Sequence, residues 1–318
     1  MLTLRADPWM PEYGMGFDVR FDEPPATVEP FVETEDWSVP RTPEAAEPLP
    51  VHFIDGVRRI DLRLLADQDG RRAPGLFGTH AVGVARCARR AELIEGEVGR
   101  AVVLGGGLVP DPIHLDCGIP LVYAPVSEPD ADPDAPLLRL QRLMREAEAS
   151  LAARVARAGA SLVLADGPLA FFGPTPCPVV GIVKRFGRVY LEPEQGALLP
   201  RLRAGQRTPL FAIASERSRV RRYAWYARLV AVKAPWHDHA GIVRCEVRGG
   251  GELREAARIA DTVSALLPAY AGRPIDPRTP QNLAPVAGLE TWLRHRMGDP
   301  RLVRRALLEW IVSTAVAA

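Results

Sequence analysis

The sequence predicts an α/β chain: a mixed central sheet flanked by helices, preceded by an extended N-terminal arm. Three observations predict it. Short apolar runs bounded by Gly, Pro or Asp recur from Val51 onward, which is the pattern of strands and turns. Between Pro136 and Ala158 apolar residues instead repeat at helical spacing. Beyond Glu252 the pattern stays helical, over Glu252–Leu267, Val286–Met297 and Arg301–Val316. Hydrophobic residues at 47% and charged residues at 25% fit a globular body, and 318 residues suffice for a large core.

Residues 1–50 are assigned to the arm and 51–318 to a single body. The stretch 23–50 is rich in Pro and Glu with no sustained period, as an extended linker is. The preceding DPWMPEYGMGF is aromatic and suits docking on the body or on a partner. Residues 1–48 hold 11 Asp and Glu against 3 Lys and Arg, a balance of −8, which leaves +9 for the rest at a total of +1. A basic body is compatible with a polyanionic ligand.

In the body, VHFIDGV is a short apolar strand closed by Asp-Gly, and RRIDLRLL alternates as a second strand. THAVGVARCARRAEL and RAVVLGG continue the β pattern, and residues 126–136 are turn-rich. The helix follows, with Leu137, Leu140, Met144, Ala147, Leu151 and Val155 as its apolar stripe and Gly159 as its stop. SLVLAD is a buried strand ending at Asp166, and PVVGIVKRFGRVYL, PLFAIAS, YAWYARLVAVK and GIVRCEV supply further β structure. Strand with Asp, further strands, helix, strand with Asp: this order is the layout of an RNase H-like fold.

That layout brings carboxylates together. Cleaving a phosphodiester needs an activated water and a stabilised leaving oxygen, which two hard cations supply. Mn²⁺ and Mg²⁺ take oxygen ligands, so Asp and Glu suffice. Phe53-Ile54-Asp55-Gly56 and Leu164-Ala165-Asp166-Gly167 each place an aspartate after an apolar run, with a glycine for close approach or an unusual turn. Asp-Gly is also an ordinary turn, and only the repetition around a helix favours a site. Glu146 and Glu148 compete for the third position. Glu148 flanks the apolar stripe, four residues after Met144 and three before Leu151, whereas Glu146 lies with Arg139, Arg142 and Ser150. Glu148 is therefore chosen. Lys184, after VVGIV, either contacts phosphate or shields the carboxylates, or is a solvated strand-end lysine.

From Arg201 to Arg228 eight arginines face one acid, Glu216, with Tyr223, Trp225 and Tyr226 interleaved. Basic groups bind phosphate and aromatic faces stack on unpaired bases. Arg217, Arg219, Arg221, Arg222 and Tyr223 are expected to contact nucleic acid, with Trp225 in the core. Gly105-Gly106-Gly107 lacks the GK[ST] ending of a phosphate loop and reads as a turn, and His237-Asp238-His239 reads as surface.

FIDG, LADGPL, VVGIVK, the segment Tyr223–Leu229 and GIVRCEV resemble the NurA nucleases, and DPWMPEYG and TPQNLAPVAGLE look like the bacterial branch of that family. The resemblance covers nearly the whole chain. It implies an RNase H-like homodimer, Mn²⁺-dependent cutting of DNA with 5′→3′ exonuclease and single-strand endonuclease activity, and partnership with a hexameric HerA translocase in DNA-end processing for recombination. It places Asp55, Glu148 and Asp166 in the metal site with Lys184 close by. Many members carry a further His or Asp late in the chain, and here Gln281-Asn282-Leu283 stands instead. Asn282 is the candidate substitute, with Glu290 or His295 as alternatives.

The N-terminus MLTLRADPWMPEYG lacks the basic start and apolar core of a secretory signal, and no membrane-length apolar run occurs. Scattered Cys87, Cys117, Cys177 and Cys245 argue against zinc and disulfides and suit the cytoplasm. Two rivals remain: an ATP-dependent phosphotransferase of the actin/sugar-kinase type, which needs a duplicated fold, and a non-catalytic DNA-binding adaptor.

Overall fold

A computed structural model describes residues 2–8, 26–45, 47–169, 173–184, 189–215, 218–231, 236–272 and 282–317, the side chains of 215, 218–220 and 315–317 excepted. The strands are β1 Leu2–Ala6, β2 Ala26–Glu29, β3 Val51–Gln68, β4 Arg71–Cys87, β5 Ala91–Leu104, β6 Ile113–Asp116, β7 Pro120–Ser127, β8 Leu162–Asp166, β9 Val179–Val183, β10 Phe211–Ser215, β11 Ser218–Arg228 and β12 Ile242–Arg248. The helices are α1 Ala135–Arg157, α2 Pro193–Gly196, α3 Leu253–Leu266, α4 Ala284–Arg296 and α5 Pro300–Ala317. The expected α/β class holds. One mixed, mostly antiparallel sheet runs β2-β10-β11-β12-β9-β8-β3-β4-β5-β7-β6, with β1 added to the far end of β3.

The middle of this sheet sets the site. β3, β4 and β5 form an antiparallel meander, after which α1 crosses over and β8 returns parallel to β3, followed by β9 parallel to β8. Alternation along β3 separates two cores. Val51, Phe53 and Val57 face α3 and α4, packing with Leu164, Val180, Ala260, Val263 and Leu289. Ile54 faces α1, with Val82, Val163, Met144 and Leu151. The pairing shifts between Ile60 and Leu62, so Asp61 is an extra residue in β3. This bulge lets Leu62 and Leu64 go on packing, now under Val303 and Leu307 of α5. Asp61 is buried there and accepts hydrogen bonds from Thr79, from Tyr123 Oη at 2.8 Å and from Arg59 Nε at 2.7 Å.

Two expectations change. Asp55-Gly56 is not a turn: VHFIDGV and RRIDLRLL are one 18-residue strand, and Asp55 lies within it. Residues 1–50 are not wholly an extended arm, since β1 pairs with β3, β2 pairs with β10, and Trp37 is buried. Short edge strands of this kind have little pattern of their own; their partners define them. Arg207 pins the segment, donating to both oxygens of Glu33 at 2.9 Å and to Asp261 at 2.7 Å. The DPWMPEYG segment lies largely outside the described residues. No helix among them is long and apolar enough to cross a membrane.

Candidate active site

Parallel pairing of β3 with β8 runs from Val51–Leu162 to Ile54–Ala165 and then stops. The next residues on the two strands are Asp55 and Asp166. Beyond them β3 has no strand on that side until β1 joins at Leu64, so a notch opens along residues 55–62 among the described residues. Asp166 is in register with Ile182 of β9, two residues before Lys184. Three adjacent strands thus deliver two acids and a lysine to one edge of the notch. Lys184 Nζ is 3.0 Å from Asp166 Oδ1.

The helix supplies the rest. Glu148 is buried on α1, whereas Glu146 is exposed and 3.6 Å from Arg139. Spacing against the apolar stripe had separated the two correctly by face. Glu148 reaches the sheet only because residue 56 is glycine: a Cβ there would stand 2.5 Å from Oε1. Glu148 Oε2 accepts a 2.8 Å hydrogen bond from Arg145, which also donates to the backbone carbonyl of Asp166 at 2.6 Å. Gly167, at φ 92°, leaves room for that guanidinium, whose nitrogens would lie 2.9–3.0 Å from a side chain placed there. Nothing in the sequence singled out Arg145. Only its position one turn before Glu148 could have done so.

Burial and mutual repulsion dominate the electrostatics. Asp55 is buried, and its Oδ2 has no hydrogen-bond partner among the described residues. Its pKa is raised by burial first and by the Asp166 charge next; Lys184 opposes this, while Glu148 and Glu290 add to it. Burial likewise lifts Glu148 from an ordinary 4.5 to about 7, against the lowering influence of Arg145. Of the alternatives for a further residue, Glu290 on α4 is buried and its charge is felt at Asp55. Asn282 is buried with Oδ1 unpartnered among the described residues, and His295 is exposed.

A carboxylate that ionises less readily in the fold than in the unfolded chain stabilises the fold only while protonated. That stabilisation is complete below pH 4.5 and lost as pH rises through about 7. Without divalent metal, the protein is expected to lose stability across this window, and Glu148→Gln to remove about 3 kcal/mol of that loss. Thermal unfolding of both proteins in EDTA between pH 5 and 8 measures it. Parallel pH profiles would mean that Glu148 is ionised throughout.

All donors here are carboxylate oxygens, which suit Mn²⁺ or Mg²⁺ rather than a soft metal. The orphaned Asp55 oxygen and the excess of buried acid fit a divalent cation. As placed, no three acidic, His or Cys side chains among the described residues are close enough to hold one. Lys184 holds Asp166, and Arg145 holds Glu148. A cation held by all three carboxylates would compete with those two ion pairs.

The expected nucleic-acid patch is less open than the sequence suggests. Arg217 lies outside the described residues, as does the side chain of Arg219. Arg221 is exposed, 2.6 Å from Glu29 and stacked over Tyr223. Arg222 is 2.7 Å from buried Glu246. Tyr223 is 9% exposed and lies in the core with Trp225, so it does not present a free stacking face. β11 is an interior strand, covered on both faces: Tyr223, Trp225 and Ala227 pack toward α3, and Ala224 and Tyr226 pack on the other side. Trp225 is fully buried, as expected, and donates to Ser264 at 3.0 Å.

No family model and no curated protein matches the chain. Among solved structures, it is similar to the NurA nuclease from Sulfolobus solfataricus, at 11% identity over 86% of each chain with a TM-score of 0.46. It is also similar to endonuclease V from Ciona intestinalis in complex with a DNA containing an inosine followed by a ribo-adenosine. That likeness has 10% identity over 78% of this chain and 85% of the other, with a TM-score of 0.30. Likenesses this remote assign no residues, which rest on the geometry above.

Proposed function

We propose that this chain is a divalent-metal-dependent DNA nuclease of RNase H-like fold, with Asp55, Glu148 and Asp166 as metal ligands. The observation that carries the reading is the register of β3 and β8, which sets Asp55 and Asp166 side by side where the parallel pairing ends. The strand order β5-β4-β3-β8-β9, with α1 bringing Glu148 to the same notch, supports it. The sequence motifs add the finer reading: a homodimer, Mn²⁺, 5′→3′ exonuclease and single-strand endonuclease activity, and a HerA-type translocase as partner in the cytoplasm.

Bound metal would supply charge for activating water and stabilising the leaving oxygen. The residues of the chain do the remaining work. Asp55 and Asp166 present oxygen ligands from adjacent rigid strands, and Glu148 adds one from α1. Lys184, released from Asp166, is placed to meet the scissile phosphate and offset its charge. Arg145 keeps α1 fixed to the end of β8 through the Asp166 carbonyl.

The test is cleavage of 5′- and 3′-labelled single strands with Mn²⁺, Mg²⁺, Ca²⁺ or EDTA. Activity is expected with Mn²⁺ or Mg²⁺ and absent in EDTA. Glu148→Ala is expected to lose on the order of 10²-fold, while Glu146→Ala, on the solvated face, stays near wild type. A dead Glu146 variant beside an active Glu148 variant would exclude the ligand set. ATP turnover without cleavage would favour the phosphotransferase.

A further inference from the structure

Arg58 lies three residues beyond Asp55 on β3, about 10 Å along the strand, at the open edge of the notch. It is half-buried, and its guanidinium donates to the neutral Oε1 of Gln141. No carboxylate lies within ion-pair distance of it among the described residues. Burial first, and then the like charge of Arg145, disfavour its protonated form. Arg145 is engaged with Glu148 and Asp166, so the positive charge at this point of the notch is uncompensated. Half-buried Arg222 and Arg59 have acids, Glu246 and Asp61, and buried Arg207 has Glu33 and Asp261, whereas Arg100 and Arg228 donate to backbone carbonyls.

A guanidinium kept partly out of water with only a neutral acceptor retains donors for an anion. Arg58 shares the α1 face of β3 with Gly56, where Glu148 approaches, about 7 Å along the strand, a spacing that suits a phosphate neighbouring the one being cut. We propose that Arg58, with Arg145 behind it, is a phosphate-binding site that positions the substrate strand beside the scissile bond. This rests on the nuclease reading and gives that site a substrate contact. Gln141, buried on α1, orients the guanidinium without neutralising it.

The experiment measures binding of a fluorescent single-stranded oligothymidylate to the full chain in EDTA, across a series of KCl concentrations. Arg58→Ala is expected to weaken binding about tenfold and to lower the slope of log K against log salt by about 0.7, one phosphate contact on a single strand. Gln141→Glu gives Arg58 the carboxylate it lacks. It is expected to weaken binding similarly while leaving the thermal midpoint unchanged or higher, which a purely structural Arg58–Gln141 bond would not produce. It also carries the test should Arg58→Ala fold poorly. Arg254→Ala, on the exposed side of α3, is the control and should bind as wild type. If the wild type binds and cuts, and both notch variants bind as it does, the Arg58 site is wrong and the nuclease reading stands. If the wild type neither binds nor cuts single-stranded DNA, both fall together.

Discussion

Asp55→Asn is expected to lower metal-dependent cleavage by on the order of 10²-fold or more and, at the same time, to raise the thermal midpoint of the metal-free protein. The two effects share one cause. Asp55 is buried, its Oδ2 meets no donor among the described residues, and three other carboxylates raise its pKa. A buried polar group left unsatisfied costs about 1–3 kcal/mol, and a charged one more. Asparagine keeps the shape and removes the charge, so the fold gains what the site loses. Asp166→Asn should be equally inactive yet less stable, because Lys184, 13% exposed, loses its partner at 3.0 Å. Cleavage assays paired with thermal unfolding in EDTA separate these outcomes. An Asp55→Asn protein that unfolds earlier and still cuts DNA would make Asp55 a structural residue.

The helix that carries Glu148 was legible almost residue for residue. Its expected span, Pro136 to Ala158, compares with Ala135–Arg157 observed, and Gly159 stops it at φ 93°. A long amphipathic helix states its own period, and the same period separated Glu148 from Glu146. Asp55 was proposed on a partly mistaken reading of its strand. Its Asp-Gly resembles a turn, and RRIDLR is too polar to look like the continuation of a buried strand. The strand continues because β4 pairs along its whole length, and Gly56 serves the approach of Glu148 rather than a reversal. β1 and β2 were missed because each exists through a partner distant in sequence.

The basic stretch shows where composition stops short. Alternating Arg and Tyr in RVRRYAWYAR looks like a binding face, yet from Tyr223 to Ala227 an interior strand buries both of its faces. Composition could not reveal which arginines have acids waiting for them. Arg222 has one, and Arg58, in the less conspicuous RRIDLR, has none in ion-pair reach among the described residues. Charge that matters for binding is charge left over after pairing, and pairing is a property of the fold.

The acid that meets Arg222 is itself a test of how the site is held. Glu246 is fully buried on β12; it accepts from Arg244 Nε at 3.0 Å, from Arg222 at 2.7 Å and from the Leu169 N–H at 3.4 Å. Glu246→Ala is expected to destabilise the protein by about 3–5 kcal/mol, because removing the acid of a buried ion network takes the carboxylate from Arg222 and the Leu169 N–H and leaves the buried positive charge of the network less balanced. At about 2–4 °C per kcal/mol for a domain of this order of size, the thermal midpoint falls on the order of 10 °C. Leu169 packs over Gly181 three residues after Asp166, so the same change frees the chain that follows the aspartate. Cleavage by the folded variant should therefore fall as well, though less than in Asp55→Asn. Glu246→Gln, which keeps acceptor capacity for one guanidinium, should lie between the two in unfolding. An unchanged midpoint in Glu246→Ala would mean that water reaches both arginines, and that the strand pairing of β9 and β12 alone anchors this side of the notch.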